Sequence, residues 1–416
     1  MAAQLKPKSI NRSDETPQHR SGGPAEAIKH QVVDDVNNWI LFERSDENLH
    51  VVGSITIDRY LVVPESKKDI TVRSIEYLDG THDLIWIQRK IKEEFGKDAD
   101  IVELFMKLRD TGLIKTAQVP TPPQSEVLRN SIRLFQFQVG PVFQRLRWLD
   151  GIFAPPALAA GLLVIALGFT QLDLRALTAP SHQVLFNSHV LGYITTWLCL
   201  LLLAVIHESF HGLAGTRYGL SPRSLSGALY LGFIPYVFIT IPGVYTISPR
   251  RRIVLWAAGI YSNLLIGSAL LLVQSQLEPG SFPSQFLSKV ILANLVIVIF
   301  NLSPFMATDS YFILSTLFKS PNVRTNSFTE FKKWIRGQKN AFGPFLATYF
   351  VLSAAVIGYF LVGFIRWIVS AVVQAVKVGI TVSTVLDLWP LALVIATIMA
   401  QRIWRRISQP HAQTPV

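Results

Sequence analysis

From residue 152 to the C-terminal tail the chain is a succession of apolar runs, each bounded by Lys or Arg. The runs cover 152–172, 190–206, 253–273, 290–305, 341–362 and 385–400. A hydrocarbon core about 30 Å thick takes about 20 apolar helical residues, so these stretches constrain the chain more than any other feature does. Half of the 416 residues are hydrophobic, 16% are charged, and the mean hydropathy is +0.35. This balance excludes an ordinary soluble enzyme and points to an α-helical polytopic membrane protein.

The basic residues set its expected orientation, because Lys and Arg collect on the cytoplasmic side. Arg129, Arg133, Arg145 and Arg147 precede the first run. Arg217, Arg223 and the Arg250, Arg251, Arg252 triple lie between the second and third. Lys319, Arg324, Lys332, Lys333, Arg336 and Lys339 follow the fourth, and Arg402, Arg405 and Arg406 follow the last. Six spans with both termini cytoplasmic put every cluster on one side, in a cell membrane expected to be a bacterial inner membrane. Residues 225–247 are apolar but broken by Gly227, Gly232, Pro235, Pro242 and Gly243. A straight span there would reverse the parity, so a re-entrant or membrane-dipping strand segment is expected, covered by protein. Residues 366–384 are expected along the outer interface. Trp148, Trp367 and Trp389 fit an interfacial belt. No cleavable signal peptide is visible, and the single cysteine, Cys199, excludes a disulfide framework or a Cys-based zinc site.

The second run ends in His207-Glu208-Ser209-Phe210-His211. Residues four apart share a helix face, so the two imidazoles can bind one metal ion, with the Glu208 carboxylate beside them as a general base. A zinc hydrolase needs a third protein ligand. The only histidine after His211 is His411, in the polar tail, and the acids after Glu208 are Glu278, Asp309, Glu330 and Asp387. By the charge count Glu278 and Asp387 fall at the outer face, and Glu330 lies in a basic loop. Asp309 alone reaches the inner end of a span, at the depth of the histidines. Asn263 and Asn301 are intramembrane polar residues placed either to stabilise substrate or an oxyanion, or to bond between helices. His182 and His189 are expected as bystanders near the outer face.

Ahead of the spans, residues 1–30 are polar and lack a hydrophobic period, as a disordered tail does. Residues 31–118 have the composition of a small soluble domain. A strand is expected over 54–63, with helices over 70–78, 84–95 and 100–114. Strands followed by three short helices suit a winged-helix α+β module. The net charge of +11 would admit nucleic acid, but here Lys and Arg alternate with Asp and Glu and form no basic stripe. No nucleic-acid partner is expected. Residues 119–150, which begin Pro-rich, read as linker and juxtamembrane segment, 151–408 as the membrane domain and 409–416 as a tail.

Two stretches carry resemblances. The run Leu-Asp-Gly-Thr-His-Asp-Leu-Ile-Trp-Ile at 78–87, with Glu-Phe-Gly at 94–96 and the helix 104–114, resembles a PqqD-like domain. That resemblance implies recognition of a precursor peptide. Asn-Leu-Ser-Pro-Phe-Met-Ala-Thr-Asp-Ser-Tyr at 301–311 resembles the N-x-x-P…D-G motif of the site-2 protease family, and 256–263 resembles its A-G-x-x-x-N helix. Within that family the chain is most similar to peptide zinc metalloproteases fused to PqqD-like domains. The resemblance implies one Zn²⁺ on His207, His211 and Asp309, Glu208 as catalytic base, and hydrolysis of a peptide bond in a membrane-associated or ribosomally made precursor, in peptide maturation or export. Partners would be the peptide or membrane-protein substrate, a peptide-modifying enzyme or transporter, and the bilayer. Ser310 stands where the family has glycine after the ligand Asp. Two other functions suit the sequence: a non-proteolytic membrane scaffold delivering a precursor peptide, or a regulated intramembrane protease acting on a signalling protein.

Overall fold

The computed structural model describes residues 30–115, 131–177, 189–230, 234–305, 308–339 and 341–379. The N-terminal tail, the Pro-rich segment at 119–123, His182, the expected span at 385–400 and the C-terminal tail lie outside the described residues.

The N-terminal unit is α+β. Strands β2 (Val36–Phe42), β3 (Leu49–Ser54) and β4 (Arg59–Pro64) form an antiparallel sheet in the order β2-β3-β4. Helices α1 (Glu65–Tyr77), α2 (Leu84–Phe95) and α3 (Ile101–Thr111) follow. The continuous strand expected over 54–63 is a turn followed by β4, because Asp58 adopts the left-handed conformation (φ 55°) and folds β4 back on β3. Helix α1 begins at Glu65, well before residue 70. The other two helices are punctuated by local chemistry. The Asp83 and Asp100 carboxylates accept from the backbone N–H of Trp86 and Glu103, both at 2.7 Å. Gly96 and Gly112 close their C-termini at positive φ, as capping rules require. Ile75, Ile87, Ile91, Ile101 and Leu108 fill the core between sheet and helices. A short ladder of β1 (Gln31–Val32) with β5 (Ile114–Lys115) ties the ends of the unit together.

Among the described residues three helices are long and apolar enough to cross a membrane: 194–217 within His189–Arg217, then Pro249–Gln274 and Phe282–Leu302. A fourth candidate is bent. The 3-10 turn Arg147–Phe153 meets Pro155–Phe169 at 63°, as one broken span or a re-entrant loop. Pro249–Gln274 is the central element, packed on Pro155–Phe169, His189–Arg217, Phe282–Leu302 and the short helix Asp309–Leu317. The approach is close because Gly161 faces Tyr261 and Gly168 faces Ser268. The last described helix, Pro344–Val378, has 35 residues. At 1.5 Å per residue it is about 52 Å long. The chain therefore runs through 362–366 without the break expected there.

Residues 224–240 form the strands expected of a dipping segment, β7 (Ser224–Tyr230) and β8 (Ile234–Thr240). The 119–150 stretch, expected as linker, supplies their third strand. There β6 (Ser131–Gln138) pairs antiparallel with β7, Ser131 opposite Tyr230 and Gln138 opposite Ser224. The N-terminal unit rests on the membrane helices near this sheet. Arg223 donates to the Thr56 carbonyl at 2.6 Å, the Gly243 N–H to the Asp58 carboxylate at 3.3 Å, and Lys319 to the Glu43 carbonyl.

Candidate metal centre

The helix His189–Arg217 carries His207 and His211 one turn apart on its buried face, both only 4% exposed. Their Nε2 atoms are 3.3 Å apart. Asp309, the first residue of its short helix, brings carboxylate Oδ2 to 3.0 Å from His207 Nε2 and 3.3 Å from His211 Nε2. The structure thus brings together the three residues selected from the sequence. Glu208 lies beside them, its ligand atom within 4.8 Å of both histidines'. Its Oε2 accepts from the Ile239 N–H of β8 at 2.9 Å.

Hydrogen bonding fixes which imidazole nitrogens face the centre. His211 Nδ1 lies 2.7 Å from the Leu255 carbonyl, an acceptor only, so Nδ1 carries the proton. For His207 the assignment passes through two amides. Asn294 Nδ2 donates to the Asn263 backbone carbonyl at 2.8 Å, which orients Asn294. Asn294 Oδ1 then accepts from Asn263 Nδ2 at 2.7 Å. Asn263 therefore turns its own Oδ1 to His207 Nδ1, which must donate. In the neutral imidazoles both Nε2 atoms are then lone pairs, close to each other and to Asp309 Oδ2, a buried oxygen to which no described group donates a hydrogen bond.

Three acceptors packed so closely repel one another unless a cation joins them. Tetrahedral zinc with bonds of 2.0–2.1 Å separates its ligand atoms by about 3.3–3.4 Å, and the three edges here are 3.0, 3.3 and 3.3 Å. The His207, Glu208 and His211 group could hold a metal ion, and the Asp309 edge distances fit the same centre. Outer partners on both histidines are what a metal site needs to hold its ligand rings in place.

One face of Pro249–Gln274 supplies this support. Leu255, Gly259 and Asn263, four residues apart, present a carbonyl, a gap and an amide to the two imidazoles. Asn263 is thus a partner of His207 through Oδ1, and its Nδ2 donates to Asn294. Asn301 donates to the Ile297 carbonyl one turn back in its own helix at 3.1 Å. No described hydrogen bond links Asn301 to the centre. Asn294 was not singled out in the sequence, and Gly259 entered only as part of the 256–263 resemblance. The signal for Asn294 was an amide inside an apolar run, which is costly without a partner.

Comparison with family models, with curated proteins and with solved structures finds no match to the chain.

Proposed function

We propose that the chain is a membrane-embedded zinc metalloendopeptidase of the site-2-protease type, hydrolysing a peptide bond in a membrane-associated or ribosomally made precursor peptide. The observation that carries this reading is the buried triangle of His207, His211 and Asp309, whose edges fit a tetrahedral ion. Zinc held there supplies a Lewis acid for the scissile carbonyl and brings the pKa of water near neutrality. The protein's own groups do the rest. Glu208 takes the proton from the attacking water and returns it to the leaving amine, since it is the acid beside both histidines that the His207, His211 and Asp309 triangle leaves free. The Ile239 N–H orients the Glu208 carboxylate until substrate arrives. β8 is an edge of its sheet, so an unwound peptide can add to it as a strand and be held extended beside Glu208.

Six spans with both termini cytoplasmic, and an N-terminal winged-helix module of PqqD-like type that selects the precursor, complete the proposal. Contact of the α+β unit with the membrane domain through Arg223, Asp58 and Lys319 supports a role in presenting peptide. The decisive test is Glu208→Gln in the full-length protein. Zinc stoichiometry should stay at one, while precursor cleavage should fall by about 10²–10⁴-fold, the usual worth of a general base. Maturation that persists in this variant would sink the peptidase reading and leave a scaffold.

A further inference from the structure

The sheet of the N-terminal unit and the membrane helices enclose a cavity of about 220 Å³ at their junction. Aromatic rings line much of it, Phe42 and Tyr60 from the sheet and Tyr245, Trp256 and Phe312 from the membrane domain, with the polar Thr316 and Asn322 beside them. Among them lies one cation. Arg252 lines the cavity and is only 1% exposed. Its guanidinium sits 4.8 Å above the Phe42 ring, and one Nη donates to the Leu41 carbonyl. Its Nε–H is buried and has no partner among the described residues. The one ionisable group interacting with it among the described residues is the Tyr245 hydroxyl, and no described carboxylate forms an ion pair with it.

A guanidinium withdrawn from water is stable only when paired, and a ring face with one carbonyl covers part of that need. The planar fork matches a carboxylate, which takes two parallel N–H donors. A buried Nε–H without a described partner, on an arginine that lines a cavity, therefore leaves the guanidinium short of an anion. The cavity also lies one aromatic layer from the metal centre. Trp256 stacks on Phe312 at 4.7 Å and stands edge-on to His211 at 6.5 Å.

We propose that this cavity binds a carboxylate of the substrate peptide, held on Arg252 with an adjoining apolar side chain against the aromatic walls. The identity of the ligand as a peptide rests on the peptidase reading; the preference for a carboxylate rests on Arg252 alone. The carboxylate can come from an acidic side chain or from a peptide C-terminus, and an extended chain advances about 3.3 Å per residue. The group so anchored is thus within a few residues of the scissile bond.

The test uses the full-length protein in detergent and three blocked dipeptides. Acetyl-Gln-Phe carries only a terminal carboxylate, acetyl-Glu-Phe-amide only a side-chain carboxylate, and acetyl-Gln-Phe-amide neither. Binding is followed by tryptophan fluorescence, to which Trp256 in the cavity wall contributes. One of the charged peptides should bind at least about tenfold more tightly than the neutral one, equal to about 1.4 kcal/mol, and which one identifies the source. Arg252→Gln should abolish the difference and Arg252→Lys should retain part of it. Equal binding of all three peptides by the wild-type protein, or no binding, overturns the proposal whether or not the variants fold. Precursor cleavage is scored separately. A carboxylate preference without hydrolysis keeps the cavity and removes the peptidase, whereas hydrolysis without the preference removes only the cavity.

Discussion

Replacing Gly259 with alanine would place a methyl group against Nε2 of both His207 and His211. The rings cannot simply retreat. His207 is tied through Nδ1 to Asn263 and His211 through Nδ1 to Leu255, and both partners stand one turn from Gly259 on the same helix. Admitting the methyl requires either that an imidazole give up its outer hydrogen bond or that Pro249–Gln274 move away from His189–Arg217. Overpacking of a tight core costs about 1–3 kcal/mol. Loss of an outer partner weakens a metal site by about 10–100-fold, or about 1.4–2.8 kcal/mol. The two routes cost about the same, so Gly259→Ala should weaken zinc binding by about 10–100-fold. The measurement is competition with a chromophoric chelator on metal-stripped, full-length protein. Gly358→Ala is the control, because an added Cβ there meets nothing within 4 Å, and its affinity should be unchanged. If Gly259→Ala binds zinc within about twofold of a wild type that takes up one ion, the two imidazoles do not converge on the metal as described. A wild type that takes up none would remove the metal centre itself.

Two further perturbations probe the support of the centre and the junction between domains. Asn294→Leu removes the amide that orients Asn263, freeing it to turn its nitrogen to His207, so zinc affinity should fall by about tenfold; an unchanged affinity would show that Asn294 only packs between helices. Asp58 is half-buried at the junction, where desolvation pushes its carboxyl pKa up despite the Gly243 N–H. A raised native pKa means that the folded state holds the proton more tightly than the unfolded chain does, so the penalty is absent below about pH 3.9 and grows as pH rises through the native value. Asparagine tolerates the positive φ of this position, and Asp58→Asn should therefore gain in Tm over wild type as pH goes from about 4 to about 7. A Tm difference that shrinks over this range would contradict the assignment.

What the sequence made legible was local. Asp83 with Gly96, and Asp100 with Gly112, delimit two helices within a dozen residues, and such punctuation can be read one residue at a time. His207, Glu208 and His211 lie within one turn and a half of helix, so their convergence follows from helical geometry. Asp309 became readable for another reason: acids are so scarce in the apolar half that few candidates existed. The rest depended on distant pairing. β6 at 131–138 completes its sheet with a strand 86 to 99 residues away, and nothing in Ser-Ile-Arg-Leu-Phe-Gln-Phe-Gln announces that partner. Arg252 read as one of three inside-marking arginines, but burial against Phe42 separates it from its two neighbours. The unbroken helix Pro344–Val378 escaped for the opposite reason, since Arg366 and Lys377 suggested an interface where the backbone simply continues.

Ser310 shows how a local departure from a motif is judged by backbone geometry. A glycine after the ligand aspartate would be indispensable if that position needed positive φ or close approach. Here Thr308 is the extended residue, Asp309 opens the helix, and Ser310 is its second residue. Among the described residues the non-glycine positions with positive φ are Asp58, Lys319 and Asn322, and Ser310 is not one of them. A serine in the first turn of a helix is ordinary, because its hydroxyl can reach backbone groups there. Asp309 is positioned by where its helix starts, and that start is set by the extended Thr308. With serine at 310, Oδ2 of Asp309 lies 3.0 and 3.3 Å from the two histidines, so the proposed centre does not need a glycine there.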